Sequence, residues 1–255
     1  MEPTKWLPVL LLLLPSFGSA FKKRVIGGQE CDETSHPWLV MIVSPKGFLC
    51  SAVLLNHEWL LSAAHCFESG EFRLRLGTHS HRVRKGHEQR RTSASLICYP
   101  NTNTSTNISD CSFDNDIMLI KLNEPVTYNE YISPISLPTS PVSLGTKCTV
   151  MGWGTTTSPQ FTYPDVPQCA DIQIFPSSTC EDAYPWWTMT DSIICAGVLE
   201  GGRDSCKGDS GGPLLCGGEF QGIISWGGFP CAQPNEPTIH TEVYNYLDWI
   251  QSIIQ

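Results

Sequence analysis

The stretch "DSCKGDSGGPLLC", Asp204–Cys216, is a dense set of constraints. Glycines flank Asp209-Ser210 on both sides, which lets the backbone turn tightly, present a serine side chain and aim amide N–H groups at one point. A serine hydroxyl is a weak nucleophile until a neighbouring base takes its proton. A shorter Gly-x-Ser-x-Gly would read equally well as a polar turn without chemistry; this longer string argues against that. If Ser210 is a nucleophile, a base and a group that orients the base must lie elsewhere in the chain.

A rigidly held imidazole is the natural base. Of the seven histidines, His65 stands out in "LLSAAHC", where it follows small and apolar residues and abuts Cys66, an expected disulfide anchor. His36 and His57 sit in polar, turn-like contexts that read as solvated surface. The imidazole needs a third group to orient it and balance its charge. Asp116 opens "DIMLIKL", a carboxylate at the mouth of an apolar strand, where burial without a partner would be costly. Asp110 and Asp114 read as turn aspartates.

Outward from these residues the chain reads as all-β. Its apolar stretches are short and rich in β-branched residues (Leu39 to Val43, Ala52 to Leu55, Ile117 to Leu122, Gly222 to Trp226). Gly, Pro, Asn and Ser punctuate them, the pattern of a sandwich or barrel. Only the C-terminus reads helical: in "EVYNYLDWIQSIIQ", Tyr246, Trp249, Ile250 and Ile253 share one face. Residues 1–20 read as a signal peptide. Lys5 precedes an apolar run from Leu7 to Pro15, too short to span a bilayer, and Gly18-Ser19-Ala20 suits signal peptidase. No later segment is long and apolar enough to span one, so a secreted, soluble product is expected. Twelve cysteines in an oxidising compartment predict six disulfides. Zinc is the alternative, but no CxxC pair supports it. Asn103-Thr104-Ser105 and Asn107-Ile108-Ser109 are sequons of an expected glycosylated loop.

One stretch runs against the overall charge of −9. "GTHSHRVRKGHEQRR", residues 77–91, holds Arg82, Arg84, Lys85, Arg90 and Arg91 with His79, His81 and His87, against Glu88 alone. By itself it fits a nucleic-acid or heparin patch, a localisation signal or one exposed face. Residues 1–24 carry Glu2, Lys5, Lys22, Lys23 and Arg24, a net +3, so the remainder stands at −12. Seven of its twelve bases fall in residues 73–91. That is real segregation.

Together with "VIGG", "LSAAHC", "DIMLIKL", "GWG", "YPDV" and "SWG", the opening stretch occurs in the order and spacing of the trypsin-like serine proteases. Essentially all of residues 25–255 resembles them, with trypsins, tissue kallikreins and kallikrein-like venom enzymes nearest in pattern. The resemblance implies two packed antiparallel six-stranded β-barrels, about 25–130 and 131–240, with the active site between them and a C-terminal α-helix over about 243–254. It implies that Ser210 attacks the scissile carbonyl, His65 takes and returns the proton, and Asp116 fixes the histidine. The N–H groups of Gly208 and Ser210 would form the oxyanion hole, and Ser225 would bond near Asp116. Residues 21–24, "FKKR", would be a propeptide cut after Arg24. The new α-amino group of Val25 would then pair with Asp209, which is costly to bury unpaired. A dibasic processing scar gives the same cut without the switch. The acidic activation run of trypsinogens is absent.

The same resemblance places Asp204, with Ser205, at the floor of a pocket that selects Arg or Lys at the cleaved bond, with Trp226 and Gly227 along its wall. The pattern departs at Thr238, where trypsins carry glycine, and at His240, where they carry tyrosine. A β-branched residue narrows the pocket base, and its hydroxyl can reach the carboxylate of Asp204. Phe113 would roof the next subsite, and Lys207 at the rim would disfavour basic neighbours in the substrate; each also reads as ordinary surface. Five disulfides are implied: Cys31–Cys169, Cys50–Cys66, Cys148–Cys216, Cys180–Cys195 and Cys206–Cys231. Cys98 and Cys111, which bracket the sequons, are left to pair. The loop at 78–88 lies where trypsins often bind calcium. Thr78 stands at one acidic ligand position, Lys85 follows nearby and only Glu88 is left, so no metal and no cofactor is expected.

The resulting reading is a secreted serine endopeptidase, made as a zymogen, that cuts after Arg or Lys in limited proteolysis of extracellular or plasma proteins through an acyl-enzyme. A general digestive trypsin is the alternative. A silent homologue that only binds is a third, which the complete His65, Asp116 and Ser210 set opposes. Expected partners are protein substrates, an activating protease, and serpin or Kunitz-type inhibitors. A monomer that binds neither nucleic acid nor membrane is expected. In this setting the basic stretch is either scaffold, pairing with the acidic body in place of the ion, or an exosite. In the second case Arg82, Arg84, Lys85, Arg90 and Arg91 steer anionic segments, and the histidines strengthen the field below about pH 6.5.

Overall fold

The computed structural model describes residues 25–44, 47–68, 70–99, 111 and 115–255, with the backbone alone at Phe48 and Leu49. The expected signal peptide, the propeptide with Arg24, the sequon asparagines Asn103 and Asn107, and Phe113 lie outside the described residues.

Thirteen strands form among the described residues, all paired antiparallel. The first, β1 (Gln29–Glu30), is short. Next, β2 (Leu39–Ser44), β3 (Gly47–Leu54), β4 (Trp59–Ser62), β5 (Arg73–Leu76), β6 (Gln89–Cys98) and β7 (Met118–Leu122) close one six-stranded barrel in the order β2-β3-β4-β7-β6-β5. A second six-stranded barrel comprises β8 (Lys147–Gly152), β9 (Gln168–Phe175), β10 (Ile193–Gly197), β11 (Pro213–Cys216), β12 (Glu219–Trp226) and β13 (Thr238–Glu242). Its order is β9-β10-β13-β12-β11-β8, and β8 pairs back on β9 to close it. Strand β1 adds to β9 through Gln29 and Glu30. The first described residues therefore join the second barrel.

Alternation explains the strands. In β9, Gln168, Ala170, Ile172 and Ile174 point inward while Asp171 and Gln173 face out, a period of two. Strands β2, β4 and β7 are buried along nearly their whole length because both faces are covered. Val40 and Ile42 of β2 enter the first-barrel core with Leu54, Leu60 and Leu74. Leu39 and Met41, on its other face, pack with Met151 and Trp153 of the second barrel. A fully buried leucine contributes about 1.5–3 kcal/mol, so this shared layer fixes how the barrels sit together.

Two helices accompany the barrels. The shorter, α1 (Ser177–Ala183), has no counterpart in the sequence-based expectation. It turns only Cys180 inward, so it carries no apolar stripe to read, and the Cys180–Cys195 bridge ties it to β10. The C-terminal helix α2 (Leu247–Ile254) follows a 3-10 turn over Val243–Tyr246, where α-helix was expected from 243. Tyr246 and Ile250 enter the first-barrel core, with Trp249 and Ile253 beside them. The Tyr246 hydroxyl donates to Asn115 Oδ1 at 2.9 Å. All twelve cysteines are bridged, as Cys31–Cys169, Cys50–Cys66, Cys98–Cys111, Cys148–Cys216, Cys180–Cys195 and Cys206–Cys231.

His240, on β13 between Ile194 of β10 and Ile224 of β12, is fully buried, and neither ring nitrogen makes a well-formed hydrogen bond. Burial lowers its pKa to about 4. The ring is neutral in the fold, but the unfolded chain takes the proton near pH 6.5. Its contribution to stability is therefore complete above pH 6.5 and is lost as pH falls to 4, by about 3 kcal/mol in total. His240→Phe should remove this part of the acid sensitivity. Urea denaturation of both proteins at pH 7 and pH 4.5 measures it, and equal losses would show the ring to be uninvolved.

Candidate active site

A cleft of about 240 Å³ lies where the barrels meet and brings His65 and Ser210 together with Ser225, Trp226, Gly227 and Thr238. His65 stands in the 3-10 turn Ala64–Cys66 just after β4, and the Cys50–Cys66 bridge pins that turn to β3. Asp116 precedes β7 and is 2% exposed. Its Oδ2 lies 2.7 Å from His65 Nδ1, and its Oδ1 accepts the backbone N–H of His65 at 2.8 Å. The Ser225 hydroxyl also donates to Oδ2. A carboxylate only accepts, so the neutral imidazole carries its proton on Nδ1 and keeps Nε2 as an acceptor. The Thr241 hydroxyl donates to the Asp116 carbonyl at 2.9 Å, a contact that no sequence signal announced.

Ser210 sits on the tight turn 208–212, where Gly208 has φ +99°. The N–H groups of Asp209, Gly211 and Gly212 go to the carbonyls of Cys206, Ile224 and Asp209. Those of Gly208 and Ser210 meet no acceptor among the described residues. The turn therefore presents a hydroxyl beside two N–H groups able to receive a developing negative charge. Its position is fixed from the other barrel, because Ser51 of β3 donates to the Ser210 carbonyl at 2.8 Å.

Beneath the turn, Asp209 is almost wholly buried. Its Oδ1 accepts from the Gly154 N–H at 2.8 Å and its Oδ2 from the Cys206 N–H at 2.9 Å. Only glycine fits at 154, since a Cβ there would lie 2.4 Å from the carboxyl group. No cation pairs with Asp209 among the described residues, and burial pushes its pKa up to about 7. Val25 is buried as well, and Ile26 bridges to Asp204.

Asp204 is 3% exposed. The Thr238 hydroxyl donates to Oδ1 and the Ala232 N–H to Oδ2 at 3.2 Å. Burial raises its pKa to about 7, while these bonds pull the other way. Ser205 is buried and lines the cleft. A Cβ on Gly227 would meet Thr238 Oγ1 at 3.2 Å, so the pocket walls stand close. Tyr184 fastens those walls: its hydroxyl donates to the Pro237 carbonyl at 2.7 Å and accepts from the Gly228 N–H at 2.9 Å. Nothing in the local pattern at the end of a polar helix singles it out.

The basic stretch is largely tied down. Lys85 pairs with Glu33 at 2.6 Å, Arg82 with Asp165 at 3.9 Å and Arg75 with Glu88 at 3.7 Å. Arg91 donates to the carbonyls of Glu124 and Pro125. Asp165 also accepts from the Ser80 hydroxyl and the Arg82 N–H. Two readings are corrected here. His36 is not solvated: it is 5% exposed, its Nε2 lies 3.0 Å from His79 Nδ1, and burial followed by the charge of His79 lowers its pKa to about 4. Nor are His79 and His81 displayed on the surface: His79 is buried with its Nε2 3.4 Å from Glu30 Oε1, and His81 is half-buried, where burial, then the Arg75 charge, lowers its pKa. His87 stacks on Tyr131 at 3.7 Å. Among the described residues, the one group of metal-type ligands is Cys50, His65 and Cys66, whose sulfurs are bonded to each other.

Comparison with known proteins adds to this geometry. Residues 25–250 match the trypsin family model. The chain is 51% identical to serine protease harobin of Hydrophis hardwickii, over 96% of this chain and 93% of that one. It is 50% identical to alpha- and beta-fibrinogenase OhS1 of Ophiophagus hannah, over 96% and 92%. Neuropsin, a serine protease expressed in the limbic system of mouse brain, has a solved structure that matches with a TM-score of 0.80 at 38% identity, covering 89% of this chain and 99% of that one.

With Val25 still joined to Arg24, the raised pKa of Asp209 means that the fold holds a proton that the unfolded chain releases above its ordinary value of 3.8. Its contribution is therefore full below pH 3.8 and is lost as pH rises through 7, on the order of 4 kcal/mol. Asp209→Asn in the uncut chain should remove that decline. Denaturation midpoints at pH 5 and pH 8 in both proteins read it directly, and an identical decline in the variant would refute the assignment.

Proposed function

We propose that this chain, which belongs to the trypsin family and is a serine endopeptidase, is secreted as a zymogen and cuts after Arg or Lys in limited proteolysis of extracellular or plasma proteins. One observation carries the reading: an imidazole ordered by a buried carboxylate shares a cleft with a serine on a turn that has two unused N–H groups. His65 Nε2 takes the Ser210 proton as Oγ attacks the carbonyl carbon, and Asp116 balances the imidazolium. The N–H groups of Gly208 and Ser210 receive the oxyanion. His65 then gives the proton to the leaving amine, and water repeats the sequence on the acyl-enzyme.

The activation step follows from Asp209. A cut after Arg24 would free the α-amino group of Val25. This cation would supply the partner that Asp209 otherwise lacks among the described residues, lower its pKa and order the turn that carries Gly208 and Ser210. Asp204 would select a basic side chain, tempered by the Thr238 hydroxyl that already occupies one of its oxygens. A covered carboxylate in a narrow pocket suits restricted cleavage better than general digestion. The fibrinogenase activity in the name of the Ophiophagus relative supports plasma proteins as the substrate class. The ion pairs of Lys85 and Arg82 favour scaffold for the basic stretch and leave the exposed Arg84 and Arg90 for any exosite role.

Activated protein should hydrolyse Arg or Lys peptide esters faster than Phe or Leu esters. Ser210→Ala and His65→Ala should each lower kcat about ten-thousandfold or more. Turnover that survives Ser210→Ala would end the mechanism; fastest turnover of the Phe ester would end the assignment of Asp204. Thr238→Gly should uncover Asp204 and raise the Arg-over-Phe ratio of kcat/KM about tenfold. A ratio unmoved by that substitution would show that the hydroxyl does not restrain the pocket.

A further inference from the structure

Lys207 stands three residues before Ser210 and lines the same cleft. Its side chain is exposed, yet its ammonium lies over two aromatic faces, 5.1 Å from the Phe161 ring centre and 6.0 Å from that of Phe229. The rings themselves are 6.0 Å apart, their planes 59° apart, and both are large exposed apolar groups, Phe161 at 42% and Phe229 at 59%. Three segments meet here. Phe161 belongs to the loop before β9, which is tied to Lys207 by the Thr155 N–H donating to its carbonyl at 2.9 Å. Thr155 also braces that loop internally, through its hydroxyl to the Thr157 carbonyl and from the Thr162 N–H. Phe229 follows the cleft-lining Gly227 and Gly228, and its segment is tied to the first loop where the Cys231 N–H donates to the Ser158 hydroxyl at 3.0 Å.

A surface lysine ordinarily samples many rotamers, and ordering it on binding costs free energy. Contact with two ring faces restricts it in advance. The chain has an excess of acids, but no carboxylate among the described residues lies within ion-pair distance of this ammonium. A positioned and unneutralised cation therefore stands beside the candidate nucleophile. Bare rings would invite an apolar side chain; the ammonium held over them adds a charge that such a side chain cannot pair and a carboxylate can. We propose that Phe161, Lys207 and Phe229 form a substrate subsite that selects an acidic side chain flanking the cleaved residue. The proposal rests on the endopeptidase reading above and adds to it a class of substrate sequence.

The test uses activated enzyme and paired peptides that differ only by Glu or Gln at one position on either side of a cleaved Arg. In the natural protein, kcat/KM should favour Glu about fivefold at one flanking position or more, the size expected of a pre-positioned exposed ion pair. The preference should shrink toward unity in about 0.5 M salt. Lys207→Gln should abolish it, Lys207→Glu should invert it, and Phe161→Ala and Phe229→Ala together should at least halve it. Each ratio is internal to one variant, so a change in overall activity does not obscure it. A Glu-to-Gln ratio that persists in Lys207→Gln, or is untouched in the double aromatic variant, overturns the proposal, as does a flanking Phe outperforming Glu throughout. An Arg ester without flanking residues separates the two claims. If it is not turned over, the Arg-directed reading fails; if it is turned over while Glu and Gln peptides behave alike, the subsite alone fails.

Discussion

One buried carboxylate joins the two halves of the molecule. Asp116 enters from the first barrel at the start of β7, yet its Oδ2 takes the hydroxyl of Ser225 from β12 and its carbonyl takes the hydroxyl of Thr241 from β13. Its remaining acceptor capacity orients His65 through both backbone and ring. Each of these donors would otherwise be buried or half-buried without a partner, at about 1–3 kcal/mol apiece. The packing of Leu39 and Met41 against Trp153, and the Ser51 bond to the Ser210 carbonyl, require the same placement of the barrels. Packing brings the two halves close, and Asp116 sets the register in which the cleft residues meet.

Asp204 shows a second balance. A carboxylate buried without a partner is costly, and the cost falls when a neutral hydroxyl or N–H group supplies a hydrogen bond. Thr238 supplies one. In the proposed pocket the same bond would compete with a cationic side chain for that oxygen, easing the empty state at the expense of selectivity. Glycine at this position would reverse both effects.

How far the sequence could be read depended on where each residue's role originates. That His65 would meet Asp116 and share a cleft with Ser210 was legible because nucleophilic chemistry would demand those atoms, and each sits in a distinctive local context. Thr238 was legible as a break in a known pattern. The strands from Leu39, Ala52, Ile117 and Gly222 showed in their short β-branched runs. By contrast, Tyr184 acts through Pro237, 53 residues away, and its helix turns only a disulfide cysteine inward. The His36 ring is buried against His79, which lies 43 positions on and is itself held through its carbonyl by Trp153. Polar neighbours in the sequence suggested surface there, but distant packing decided otherwise. Lys207 was legible as a charge at the rim; the two rings that position it were not, since neither lies near it in the chain.

The bridges have a consequence for a chain whose chemistry is the cutting of chains. Cys50–Cys66 encloses the strand and turn leading to His65, Cys180–Cys195 encloses Tyr184, and Cys206–Cys231 encloses Ser210 and the pocket wall. A peptide bond broken inside any of these segments by another copy of the molecule leaves both new ends covalently attached, with the surrounding strands still paired. Damage from self-digestion around the cleft then becomes a local nick and not the loss of a fragment.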